Sequence, residues 1–169
     1  MPKPDSPDYA NAQAVGRALG EAGFAVMTGG YMGVMEAASR GASEAGAHVI
    51  GVTCKQIESI RPNPANAWVK EEIRYETLRE RLHHLVTQAD GYVIMPGGIG
   101  TLNELVMVWE MMRVNEIPHN PIVCYGDRWA DLVQGFSASH YVPEHHKDMV
   151  VFVDTPDDVV QALRDGAAR

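Results

Sequence analysis

The stretch Gly91-Tyr92-Val93-Ile94-Met95-Pro96-Gly97-Gly98-Ile99-Gly100-Thr101 decides the fold. An apolar strand from Gly91 to Met95 runs straight into a glycine-rich turn. A long helix pattern opens at Thr101 and continues to about Val114. In a parallel sheet, ligands sit at the carboxyl ends of the strands, where such a turn lies. Glycines let the backbone turn tightly and let an anion approach its N–H groups with no Cβ in the way. The helix start adds unpaired N–H donors and the positive end of the helix dipole. Thr101 can cap the helix or donate its hydroxyl to a phosphate oxygen. The alternative is a tight strand-to-helix connection with no ligand.

The same alternation extends in both directions. Toward the amino terminus lie a helix from Asp8 to Ala22, a strand from Phe24 to Thr28 and a second glycine turn, Gly29-Gly30-Tyr31-Met32-Gly33. A helix from Val34 to Ala45 and a strand from Val49 to Cys54 follow. Lys55 to Glu72 reads as irregular, with Pro62 and Pro64 inside it, and Glu76 to Gln88 as a helix. Toward the carboxyl terminus come a strand from Pro121 to Tyr125 and a helix from Trp129 to Phe136. A strand from Met149 to Val153 and a helix from Pro156 to Arg164, capped by Thr155, complete the chain. Short, continuous apolar strands between helices predict one α/β domain over residues 1–169. Its expected form is a Rossmann-like, doubly wound parallel sheet in a three-layer αβα arrangement. Glu71-Glu72 reads as solvated surface, and Asp165-Gly166-Ala167-Ala168-Arg169 as a frayed end.

Composition narrows the function classes. The chain has 169 residues, 46% hydrophobic and 21% charged, ordinary values for one soluble domain. No apolar run approaches a membrane span, and Met1-Pro2-Lys3-Pro4-Asp5 lacks the apolar core of a signal peptide. The formal net charge of −8 disfavours long nucleic acids and anionic membranes as partners. Cys54 and Cys124 both end apolar strand-like runs, which fits a reducing cytosol and no disulfide framework. Neither glycine turn is a P-loop, since no Lys-Ser or Lys-Thr follows, and neither is Gly-x-Gly-x-x-Gly.

Pro96-Gly97-Gly98-x-Gly100-Thr101-x-x-Glu104 resembles the signature of the Lonely Guy (LOG) family, long labelled as lysine decarboxylases. Gly29-Gly30 through Gly33-Val34-Met35, then Val49-Ile50-Gly51-Val52, resembles that family's first glycine motif and its following strand. Ala89-Asp90 and Trp109 also fit, so the resemblance spans about Tyr9 to Tyr125. It implies a Rossmann-like homodimer with its active site near the dimer interface. It also implies hydrolysis of an AMP-like nucleoside 5′-monophosphate to free base and ribose 5-phosphate, with no metal or organic cofactor. Gly29, Gly30, Gly33, Pro96, Gly97, Gly98, Gly100 and Thr101 are then the phosphate and ribose contacts, and Arg81 and Glu104 the catalytic pair. Three features depart from the pattern. In Leu78-Arg79-Glu80-Arg81-Leu82 only Arg81 of the family's Met-His-x-Arg-Lys is retained, and Glu36 stands where Gly is usual. The family also begins with a strand before the first helix; either this chain's start is trimmed or its sheet is one strand short.

Each candidate has a plainer reading. Arg81 could be a surface arginine paired with Glu80 or Glu76. Glu104 could be a solvated carboxylate in the first helical turn, favoured there by the dipole. His83-His84 point to different helix faces and chelate poorly, and His145-His146 lie in a polar loop. Met107, Trp109, Met111 and Met112 read as core or, under the resemblance, as a dimer seam on the long helix. Trp68 is a lid or a packing anchor. A decarboxylase of the Schiff-base type needs an activated lysine, and of Lys3, Lys55, Lys70 and Lys147 only Lys55 falls near strand ends. A carrier of a nucleotide or of the molybdenum-cofactor pterin, without chemistry, would share the glycine turns. Retention of Arg81 and Glu104 favours the enzyme, and loss of the neighbouring His and Lys favours the carrier.

Overall fold

The computed structural model describes residues 4, 6–60 and 62–167. The expectations on Met1 to Lys3, Asp5, Ala168 and Arg169 lie outside them. The architecture is α/β, with parallel sheets flanked by helices, and the chain divides into two compact units, Met1–Ala89 and Asp90–Arg169.

The first unit opens with α1 (Pro7–Glu21), capped by Ser6, whose hydroxyl accepts from the Tyr9 N–H, with proline in the first turn. Then come β1 (Val26–Thr28), α2 (Val34–Glu44), β2 (Val49–Cys54), α3 (Lys55–Ile60), β3 (Glu71–Tyr75) and α4 (Leu78–Thr87). The strands pair in parallel in the order β1-β2-β3, with Val26 opposite Val49 and Val52 opposite Ile73. Central β2 is apolar on both faces and almost wholly buried. Helices α1 and α2 meet through glycine. A Cβ on Gly16 would stand 2.1 Å from the Ala38 carbonyl oxygen, and one on Gly41 1.9 Å from that of Gln13. Thr77 and Glu80 form a reciprocal capping box at the start of α4.

One expectation fails in this unit. Lys55 to Glu72 is not irregular throughout, since α3 occupies its start. Glu71 and Glu72 are exposed, as expected, yet they begin a strand. An edge strand needs only one neighbour, so it tolerates charged side chains that a central strand would not. Their carboxylates find partners on β2 and just before it, Thr53 for Glu72 and His48 for Glu71.

The second unit contains β4 (Tyr92–Ile94), α5 (Ile99–Arg113), β5 (Ile122–Tyr125), α6 (Asp127–Ser137), α7 (Glu144–Lys147), β6 (Val150–Val153) and α8 (Pro156–Ala167). Its strands are parallel in the order β4-β5-β6, with Val93 opposite Val123 and Cys124 opposite Phe152. Leu105, Val108 and Met112 form the buried stripe of α5. Thr155 caps α8 by accepting from the Asp158 N–H. The expected frayed end is instead helical through Ala167, because Gly166 packs on Pro121 with no room for a Cβ. Both cysteines are buried and unpaired, and burial pushes the Cys124 thiol up to about 12. Among the described residues no helix is long and apolar enough to cross a membrane.

Candidate functional site

The turn after β4 is built to present backbone. The Met95 carbonyl accepts from the Trp129 indole at 3.0 Å, which fixes the strand end against α6. Pro96 follows, then Gly97, where a Cβ would stand 2.2 Å from the Thr101 hydroxyl oxygen. Gly97 is therefore demanded by close packing, whereas Gly98 and Gly100 are exposed and open onto empty space. Helix α5 starts at Ile99 with Gly98 as its cap residue and no side-chain capping bond. Thr101 is thus not the cap: it already sits inside the first turn, folded over Gly97. The first intrahelical bond runs from the Leu102 N–H to the Gly98 carbonyl. The N–H groups of Ile99, Gly100 and Thr101 precede it, and the dipole end of α5 faces the same opening.

Glu104 stands one turn further along. No acidic residue occupies the first turn of α5, so helix-dipole stabilisation does not account for it. The helix begins earlier than its apolar pattern suggests, because glycines cap it without contributing hydrophobic periodicity. Glu104 is half-buried, and at helical spacing it shares a face with Gly100 and Thr101.

The turn after β1 is held from behind. Gly30 and Gly33 have φ of 78° and 77°, values that favour glycine. A Cβ on Gly29 would meet the Arg81 guanidinium at 2.0 Å. Arg81, on α4, is only 6% exposed. Its Nε donates to the Val52 carbonyl at 2.7 Å and its Nη2 to the Gly29 carbonyl at 3.3 Å, while the Tyr31 ring lies 5.7 Å from the guanidinium carbon. The surface-arginine reading fails on this geometry, and its supposed partners are engaged elsewhere, Glu80 with Thr77 and Glu76 with Lys55. The Tyr31 hydroxyl accepts from the Cys54 N–H at 2.9 Å and donates to its carbonyl. Burial raises the Tyr31 phenol above its usual range.

Sequence reasoning missed Asn66, which is 5% exposed and donates its side-chain amide to the carbonyls of Gly30 and Tyr31. Nothing in a proline-flanked irregular segment signals such a contact. Trp68, two residues on, packs 5.4 Å from the Arg40 guanidinium on α2, an anchor rather than a free lid.

The remaining candidates separate. A shallow groove along α4 is lined by Tyr75, Arg79, His83 and His84 among others, and no residue of the glycine turn is in its lining. His84 is hydrogen-bonded to the Tyr75 hydroxyl, and burial, helped by the neighbouring His83, lowers its pKa. Among the described residues no cluster of His, Cys, Asp and Glu is arranged to hold a metal. Trp109 and Met111 are buried within the chain, and the Trp109 indole donates to the His146 carbonyl, so they are core and not a dimer seam. The apolar residues that α5 does expose are Ile99 and Val106. Lys55 pairs with Glu76, Lys147 with Glu144, and the Lys70 ammonium donates to the Ala47 carbonyl.

Residues 35–163 match the family described as possible lysine decarboxylase. The chain is 28% identical over 162 residues to a cytokinin riboside 5′-monophosphate phosphoribohydrolase of Mycobacterium marinum, covering 92% of this chain and 84% of that one. It is 27% identical over 160 residues to the cytokinin riboside 5′-monophosphate phosphoribohydrolase LOG of Oryza sativa, covering 91% of this chain and 65% of that protein's length. Among solved structures it resembles the molybdenum cofactor binding protein of Rippkaea orientalis, with a TM-score of 0.75 at 22% identity over 95% of this chain and 88% of that one. The molybdenum cofactor carrier protein of Chlamydomonas reinhardtii gives a TM-score of 0.74 at 20% identity, over 99% of this chain and 94% of that one.

Proposed function

The chain belongs to the possible lysine decarboxylase (LOG) family, and from that premise we propose that it hydrolyses the N-glycosidic bond of an AMP-like nucleoside 5′-monophosphate. Free base and ribose 5-phosphate are the products. The relatives named phosphoribohydrolase support this reading. The observation that carries it is the uncapped start of α5, opening between Gly98 and Gly100 onto unfilled space. A dianionic phosphate suits three unpaired N–H groups at a helix start.

Water adds across the bond: its oxygen joins C1′, and the base leaves with the proton. The sugar passes through an oxocarbenium-like state, which a nearby carboxylate stabilises. Glu104, on the face of α5 that carries Thr101, takes that role and orients the attacking water or the ribose hydroxyls. Anchoring the phosphate at a distance from the reacting carbon positions the scissile bond. Arg81 acts as a positioning residue, because two of its donors are spent on the carbonyls that shape the first glycine turn. We place the protein in the cytosol as a homodimer, with Val106 rather than Trp109 at the seam.

The test is a panel of nucleoside 5′-monophosphates assayed for released ribose 5-phosphate. Cleavage of at least one, with the matching nucleosides binding far more weakly, supports the hydrolase. A second reading is a carrier of a nucleotide or the molybdenum-cofactor pterin. It is favoured by Arg79 and Leu82 standing where the family has His and Lys and by the carriers among the structural relatives. Tight binding across the panel with no cleavage replaces the hydrolase by the carrier.

A further inference from the structure

Asn66, in the segment between α3 and β3, has both polar atoms of its side chain committed. The Asn66 Nδ2 donates to the carbonyls of Gly30 and Tyr31, each at 3.0 Å. Its backbone N–H donates to Gly30 as well, at 2.8 Å. Its Oδ1 accepts from the Trp68 N–H at 3.1 Å, which fixes the orientation of the amide. Across a trans peptide the carbonyl and the following N–H point in opposite directions, and the described residues contain no cis bond. Drawing the Gly30 and Tyr31 carbonyls toward Asn66 therefore turns the N–H groups of Tyr31 and Met32 the other way. Two successive N–H groups on one side make a concavity for an electron-rich group.

We propose that Asn66 is a positioning residue that sets the direction in which the first glycine turn presents its N–H groups to the base of a bound nucleotide. The proposal rests on the nucleotide reading above, since it treats the turn as a ligand contact. Only a carboxamide supplies two donors to the turn and one acceptor to Trp68. Asn66→Asp keeps the shape and the acceptor but sets a carboxylate against two carbonyl oxygens. Asn66→Ser removes the reach without that repulsion, and it carries the test if the aspartate variant does not fold.

The experiment compares wild type, Asn66→Asp and Asn66→Ser by calorimetric binding of AMP and of ribose 5-phosphate, below the melting temperature of each. Amide hydrogen exchange is followed at residues 29–33, with residues 97–101 as the internal control. The expected result is faster exchange at 29–33 alone, AMP affinity reduced at least ~tenfold, and ribose 5-phosphate affinity unchanged. Unchanged AMP affinity in a folded variant overturns the proposal. So does an equal loss for both ligands, which is what a merely structural role produces. Wild-type protein that binds neither ligand overturns the nucleotide reading itself and this proposal with it, and that outcome appears before any substitution is made.

Discussion

A methyl group added at Gly97 collides with Thr101, while one added at Gly98 meets nothing. The two neighbours should therefore respond in opposite ways. Gly97→Ala should cost about 1–3 kcal/mol of stability, because the Thr101 side chain must leave its place. Gly98→Val should leave the melting temperature nearly unchanged and weaken nucleotide binding by filling the opening. Thermal melts beside AMP titrations check both. Glu104→Gln should lower turnover by roughly 10²–10⁴ while AMP affinity survives, the mark of a group used mainly in the transition state. Equal losses in turnover and affinity would instead make Glu104 a ground-state contact. At this scale the glycine turns were legible in the sequence, but the surroundings of Arg81 were not. An arginine on a helix pattern reads as solvated, and its acceptors here are carbonyls of Gly29 and Val52, which no side-chain pattern displays.

The body of each buried helix and strand followed hydrophobic periodicity, while ends such as the glycine-capped start of α5 did not. Central β2 runs from Val49 to Cys54 as its apolar run predicts, while edge strand β3 was invisible because Glu71, Glu72 and Arg74 give it no such run. The close contact of α1 with α2 was equally hidden, since it depends on the absence of side chains at Gly16 and Gly41. Gly16→Ala or Gly41→Ala should raise intrinsic helix propensity and still destabilise the protein, because each added Cβ meets a backbone carbonyl. Denaturant unfolding showing either substitution to be stabilising would mean that the helices can part without cost. Helix α4 carries a pH response. Burial lowers the pKa of His84, so the unfolded chain binds its proton more readily. Its contribution to stability is full above the unfolded value of 6.5 and is lost as pH falls below it. His84→Gln should flatten that acid limb in melts recorded from pH 7.5 to 5.

One domain over residues 1–169 should melt in a single cooperative transition, with calorimetric and van't Hoff enthalpies equal. Two transitions would make the units of residues 1–89 and 90–169 independent folding bodies. The homodimer is tested by Val106→Glu, which places a charge on an exposed apolar position of α5 that is 52% accessible. Sedimentation should show dimeric wild type and a monomeric variant. The three tryptophans give the molecule an internal optical probe. Trp109 and Trp129 are buried, and Trp68 alone is half-buried, stacked near Arg40 and joined to Asn66. Iodide in solution should reach chiefly that indole, so the quenchable part of the emission should come from the segment that braces the first glycine turn. A ligand that stiffens the segment should reduce quenching without moving the emission of the other two, which makes fluorescence a direct readout of order beside the turn.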